Sequence, residues 1–184
     1  MTNISLSYYF YLIYNCENMK HRELNSQEIK CIKNILSNYL NKEDIGGFDF
    51  ENLYLLQDTD RYNVIYSTDE VLRYLKLFKN IYGAGILFGD FGKNKNKIKF
   101  SMSLEGMDLI SKNIVKNYAI INKKGETLFL YGRDIFKSSI LKLNGTGRIG
   151  IFNKNKEFLG IGNYNKGEVI KNIIDKGWYL RKGG

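Results

Sequence analysis

The chain contains no proline among its 184 residues, where average usage of roughly 5% would give about nine. Turns must therefore be sought through glycine, asparagine and aspartate. Histidine occurs once, as His21, and cysteine twice, as Cys16 and Cys31. That leaves no Cys/His spacing for zinc and no disulfide framework. Two isolated thiols fit a reducing cytoplasm and are expected to be buried or half-buried. Long hydrophobic runs are missing too. Residues 8–14 are apolar and aromatic, but seven residues do not span a bilayer. No Lys or Arg precedes them, as the charged start of a signal peptide would require. No membrane partner is expected. Met19, followed by Lys20, His21, Arg22 and Glu23, reads as a natural start, so residues 1–18 are expected to be an extension of low order.

What is present is ordinary in amount and uneven in placement. Asn, Lys, Ile and Tyr are abundant, which reads as AT-rich coding bias. The formal charge is +9. Residues 1–105 hold 13 basic and 13 acidic side chains, whereas residues 106–184 hold 15 basic and 6 acidic. The whole excess lies in the C-terminal part. A basic domain attached to a neutral one points to a polyanionic partner, because a purely solubilising charge would be spread evenly.

Periodicity suggests two successive architectures. Asn25 and Glu28 have capping-box spacing before a helix reaching about Leu40, with Ile29, Ile32, Leu36, Tyr39 and Leu40 on one stripe. Residues 48–56 and 61–67 read as a hairpin around Asp58 and Asp60. Ser67 and Glu70 form a second capping box, and the helix after it is expected to bury Val71, Leu72, Leu75, Phe78 and Tyr82. Residues 86–91 and 97–104 form another hairpin, joined by a loop that opens at Gly92. Its second strand alternates Ile98, Phe100, Met102 and Leu104 with polar residues. Residues 105–112 read as a short helical connector. Beyond it, strands are expected at 118–121, 127–131, 148–153 and 157–161, separated by Gly/Asn turns at 122–125, 144–147 and 153–156. An amphipathic helix is expected at 167–176, with Val169, Ile170, Ile173 and Ile174 inward. Trp178, Tyr179 and Leu180 are expected as a final strand.

Catalysis requires a nucleophile, a tuned base or a metal, and the residue pattern offers none of these. Asp58, Asp60 and Asp69 sit at a turn and a helix cap. The glycines from Gly83 to Gly89 follow a helix and open a strand, the reverse of a dinucleotide fingerprint. Gly145-Thr146-Gly147-Arg148 lacks the Lys-Ser/Thr of a P-loop. The expectation is a protein that is not an enzyme and needs no cofactor.

Three stretches carry a resemblance. They are Met19 to Leu24 leading into the first helix, Ala84 to Phe91 with the strand after it, and Leu128-Phe129-Leu130-Tyr131-Gly132-Arg133-Asp134 running on to Lys137 and Ser138. In the last, an aromatic-Gly-basic turn is read as joining a strand to a short helix. With Leu159-Gly160-Ile161-Gly162 and the terminal Trp178 to Lys182, the chain resembles the Nip-seven family of large-ribosomal-subunit biogenesis proteins over residues 19–184.

The resemblance implies an α+β protein: an N-terminal antiparallel sheet with flanking helices, then a small mixed β-barrel of the PUA type with short helices. The implied division is 1–18 extension, 19–110 pre-PUA domain and 111–184 PUA domain. It also implies an RNA-binding ribosome-biogenesis factor that is cytoplasmic, or nucleolar in a eukaryote. Its RNA would be pre-rRNA or another single-stranded or looped RNA rather than DNA, and its other partners would be ribosome-assembly proteins docking on the N-terminal domain. Some relatives carry paired arginines where this chain has Gly167 and Glu168, whereas Lys171 matches a basic position of the family. The RNA contacts expected are therefore Lys171 with Lys166, Lys176, Arg133, Lys137, Arg181 and Lys182, and with Tyr164 and Trp178 as candidate stacking aromatics, although core packing is the role expected first for Trp178. Lys166, Lys171 and Lys176 would not line one face of a helix, since five-residue spacing turns it ~140° past a full circle. Two other readings stay open: an accessory subunit of an RNA-modification enzyme, and a protein–protein adaptor.

Overall fold

The computed structural model describes residues 20–58, 61–74, 84–94 and 97–182. The expectations for residues 1–18, for Leu75, Phe78 and Tyr82, and for Asp60 lie outside them. The chain divides into two compact units: Met1–Cys31 with Asp49–Ser101, and Ile32–Phe48 with Met102–Gly184.

The first unit is built on a five-stranded sheet of order β1-β2-β3-β4-β5, with β1 (Lys20–Glu23), β2 (Leu53–Asp58), β3 (Arg61–Tyr66), β4 (Ile86–Asn94) and β5 (Lys97–Met102). β2 reads Leu53-Tyr54-Leu55-Leu56, and all four side chains are buried. A strand buried on both faces shows a continuous apolar run rather than alternation. Tyr54, Leu56 and Ile65 pack with Leu72 and Ala84. Phe100 stacks on Phe88 with centroids 5.9 Å apart and meets Phe91 at 5.2 Å.

Helix α1 (Ser26–Leu36) opens on the expected capping box. The Asn25 side chain accepts from the Gln27 and Glu28 N–H groups, and the Glu28 carboxylate accepts from the Asn25 N–H at 2.9 Å. Ile32 and Leu36 are buried as the stripe requires and Ile29 is half-buried, but the helix ends at Leu36 rather than near Leu40, so Tyr39 and Leu40 are buried in the turn that follows it. A short α2 (Lys42–Gly46) follows, capped by Asn41. The helix α3 (Asp69–Tyr74) starts one residue later than its sequence suggests. Its cap is Thr68, which accepts from Val71, rather than Ser67. Val71, expected inside, is 44% exposed. Cys31 is half-buried.

The second unit holds a six-stranded sheet of order β7-β11-β10-β9-β6-β8, curled into a nearly closed barrel. Its strands are β6 (Tyr118–Ile121), β7 (Ile135–Phe136), β8 (Ile140–Asn144), β9 (Gly147–Phe152), β10 (Phe158–Tyr164) and β11 (Val169–Asp175). Ala119, Ile121, Phe129, Ile135, Ile149, Ile151, Leu159 and Ile170 fill the interior. The helix α4 (Leu104–Ile110), capped by Ser103, packs against β10.

Three expected elements change type. Residues 127–130 of the expected strand 127–131 belong to a helix, α5 (Lys123–Leu130), and Tyr131 is its C-cap. Asn122, read as a turn residue, is its N-cap and accepts from the Gly125 N–H at 2.9 Å. Gly125 and Phe129, one helical turn apart, face the core. The motif at Tyr131 and Gly132 therefore follows a helix and leads into β7, the reverse of the expected order. Residues 167–176 form a hairpin tip and β11, not a helix. Three of the seven β11 residues are isoleucine and one is valine, and the branched side chains suit a pleated surface. Trp178 to Leu180 lie in a helix, α6 (Gly177–Lys182), not a strand. Gly177 sits where any Cβ would collide with the Leu130 carbonyl.

Candidate nucleic-acid interface

Three of the cations singled out by the sequence, Arg133, Lys137 and Lys171, lie on or next to the strands at one edge of the barrel. β7 is that edge strand, and it pairs antiparallel with β11 through Phe136↔Val169 and Ile135↔Ile170. Ile135 and Ile170 point into the barrel and are fully buried. Directly paired residues share a face of the sheet and alternate residues repeat it. Phe136, Val169 and Lys171 therefore lie on the outer face. Phe136 is 59% exposed and Lys171 is exposed. β10 brings Asn163 opposite Lys171.

The hairpin between β10 and β11 carries Lys166 at its tip. Lys166 is exposed and has φ 59°, the left-handed region that glycine or asparagine normally occupies. Beside it, the Lys137 N–H donates to the Glu168 carbonyl at 3.0 Å. The Lys137 ammonium also meets the Glu168 carboxylate at 3.4 Å, with both side chains largely exposed. Such a surface pair contributes roughly 0–1 kcal/mol, so it does not remove Lys137 from reach of another anion. Arg133 is exposed in the turn before β7. Arg133, Lys166 and Lys171 have no ion-pair partner among the described residues.

Two expected contacts are engaged internally. Arg181 forms two hydrogen bonds to the buried Asp175 carboxylate, at 3.0 and 2.9 Å, and also donates to the Leu130 carbonyl. The hydrogen bond to Asp175 raises the guanidinium pKa above its already high ordinary value, against a smaller opposing effect of burial. Lys176 pairs with Asp108 at 2.9 Å and lies over the Phe158 ring. Lys182 ends α6. The two aromatics chosen from sequence are half-buried. Tyr164 packs against the barrel core, and Trp178 meets Tyr179 edge-on at 5.4 Å. Phe136 escaped the sequence reading. Its signal was the β7 alternation of Ile135 inward and Phe136 outward, which a two-residue strand is too short to announce.

In the first unit, a cavity of about 700 Å³ is lined by His21, Arg22, Glu23, Tyr54, Asp69 and Arg73, among others. The Tyr54 hydroxyl donates to Asp69 at 2.6 Å, a bond that, helped by burial, pushes the phenol pKa up to about 12. Two arginines and two carboxylates offset one another there, so the lining favours neither sign of ligand. The described residues hold no group of three potential metal ligands. No described helix is long and apolar enough to cross a membrane.

The profile of the NIP7/UPF0113 pre-PUA domain matches residues 21–104, and that of the UPF0113 PUA domain matches residues 117–184. A UPF0113 protein of Archaeoglobus fulgidus is 32% identical over 178 residues, spanning 89% of this chain and 95% of its own. Another, from Aeropyrum pernix, is 29% identical over 106 residues, 56% of this chain and 59% of its own. The crystal structure of a hypothetical protein from Pyrococcus horikoshii OT3 shares the fold. Its TM-score is 0.54 at 13% identity, covering 88% of this chain and 99% of that one.

Proposed function

The chain belongs to the NIP7/UPF0113 family, and from that premise we propose that its PUA barrel grips RNA along the β7–β11 edge. The observation that carries this reading is the set of exposed cations with no ion-pair partner among the described residues: Arg133, Lys166 and Lys171. Lys137 lies at the same edge. Each would neutralise a phosphate and release condensed counterions, which gives affinity with little sequence choice. The left-handed backbone at Lys166 adds support, since strained positions concentrate where a side chain must be presented.

The finer reading follows the family. The protein acts in large-subunit ribosome assembly, on pre-rRNA or another single-stranded or looped RNA, in the cytoplasm. It supplies binding rather than chemistry, while the neutral N-terminal unit docks an assembly partner. The displaced titrations at Arg22, Glu28, Tyr39, Tyr54 and Arg181 are all accounted for by structural partners or burial.

Ultraviolet crosslinking of the full chain, followed by sequencing of the bound RNA, tests the proposal. Enrichment of large-subunit rRNA precursors supports it. Enrichment of mature tRNA would instead favour an accessory subunit of a tRNA-modifying enzyme. Absence of crosslinked RNA would refute the RNA reading.

A further inference from the structure

An aromatic ring 59% exposed on the outer face of a two-residue edge strand contributes little to the barrel. The fold uses the other β7 residue, Ile135, for its core. Isolated exposed apolar residues are common and need no explanation. Phe136 is not isolated. Half-buried Val169 is paired with it, and Lys171 follows on the same face. Further along β11, Ile173, left unpaired at a shift in register with β10, is 42% exposed. Lys137 is the next residue along the chain, and Lys166 stands at the adjoining hairpin tip. An apolar aromatic surface bordered by cations matches a strand that offers flat bases on one side and phosphates on the other. It does not match an apolar protein surface, which would strand the lysines without partners.

We infer that Phe136 is a base-stacking platform, and that the β7–β11 edge selects RNA with unpaired bases. The inference rests on the RNA reading above, single-stranded or looped RNA included, and adds to it the residue that discriminates such RNA from a duplex. Phosphate contacts alone accept any polyanion. A stacked ring requires a base whose face is free, and in a duplex both faces are covered by neighbouring pairs. Stacking tolerates all four bases, so the selection is for single strands rather than for sequence.

The test uses the full chain and two labelled RNAs, a ten-nucleotide oligouridine and a ten-base-pair duplex, followed by fluorescence anisotropy. Phe136→Ala is expected to weaken oligouridine binding by roughly 5- to 100-fold. Its duplex affinity and salt slope should stay at the wild-type values. Phe136→Trp should keep the affinity and show indole emission quenched on binding, which also serves if the alanine variant folds poorly. Leu141→Ala, at a similarly exposed apolar residue on β8 (54%), should change nothing. Stacking is overturned if Phe136→Ala binds oligouridine as tightly as wild type while Lys171→Ala binds it more weakly; RNA binding would then survive without the platform. Wild-type protein that binds neither RNA removes the underlying reading as well. A change in the sedimentation of RNA-free protein on Phe136→Ala would assign the patch to self-association and also overturn the inference.

Discussion

Arg181 and Asp175 are joined by a pair of hydrogen bonds that fastens the C-terminal helix to the end of the last barrel strand. The carboxylate is buried, with 2% of its side chain exposed, and it also receives the Asn172 amide at 3.1 Å. The arginine reaches on to the Leu130 carbonyl at the end of α5. A single guanidinium thus ties together three parts of the second unit, α5, β11 and α6.

Arg181→Ala leaves that carboxylate buried and without its cation. Breaking such a pair costs about 3 kcal/mol, a fall in melting temperature of roughly 6–12 °C for a chain of this size. Thermal melts by circular dichroism measure it. The salt dependence of RNA binding should be unaltered, because this charge is already neutralised. A reduced salt slope with an unchanged melt would mean that Arg181 contacts phosphate.

Lys171→Ala and Lys166→Ala should behave in the opposite way. Both side chains are exposed, so the melts should shift by less than about 0.5 kcal/mol in stability. Each should lower the slope of log affinity against log salt by about 0.7 for single-stranded RNA. The double variant should lose about twice that, since independent phosphate contacts add. A titration series from low to moderate salt reads the slopes directly.

Glu168 stands against Lys137 at the edge proposed to bind RNA. Glu168→Gln removes the competing anion and one like-charge repulsion with phosphate. RNA affinity should rise by roughly 2- to 5-fold at low salt, with the gain shrinking as salt screens it. An affinity that stays flat or falls would place Glu168, and with it Lys137, away from the bound strand.

Glu28 predicts an acid-limb effect in the first unit. The double hydrogen bond from Arg22 holds its carboxyl below the ordinary carboxylate range, against the opposing push of burial, and the Asn25 N–H adds to the lowering. A depressed folded-state pKa contributes stability above the unfolded value and loses it as pH falls through the folded one. Glu28→Gln should therefore cost about 1 kcal/mol at neutral pH, a modest figure because half of the Arg22 side chain is solvated. The difference from wild type should vanish once pH drops below the carboxylate range. Urea unfolding curves between neutral and strongly acid pH would show the two lines converge.

The sequence was legible where local signals agreed with one another. The Asn25–Glu28 box, the stripe through Ile32 and Leu36, and the hairpin of β2 and β3 each combine a cap or turn with an unambiguous period. Residues 123–130 and 169–175 lacked that agreement. Thr127 to Tyr131 looks like a strand through its apolar run, while the Asn122 cap favours a helix. In β11 the apolar pairs 169/170 and 173/174 fit a helix, and only the β-branching argued for a strand. Among the cations, Lys171 kept its exposure despite the change of element. Arg181 is instead paired with a carboxylate six residues back, a spacing that neither a helix nor a strand brings into contact.

The sequence alone therefore determined the family, the α+β composition and the concentration of positive charge in the C-terminal half, because these depend on residue identity and count. Tertiary structure decided which cations remain available and which aromatic faces water. Pairing β11 with β7 turns Phe136 and Lys171 to one surface, while docking α6 on Asp175 takes Arg181 inward. Both outcomes are set by partners distant in the chain, to which a local pattern of residues is blind.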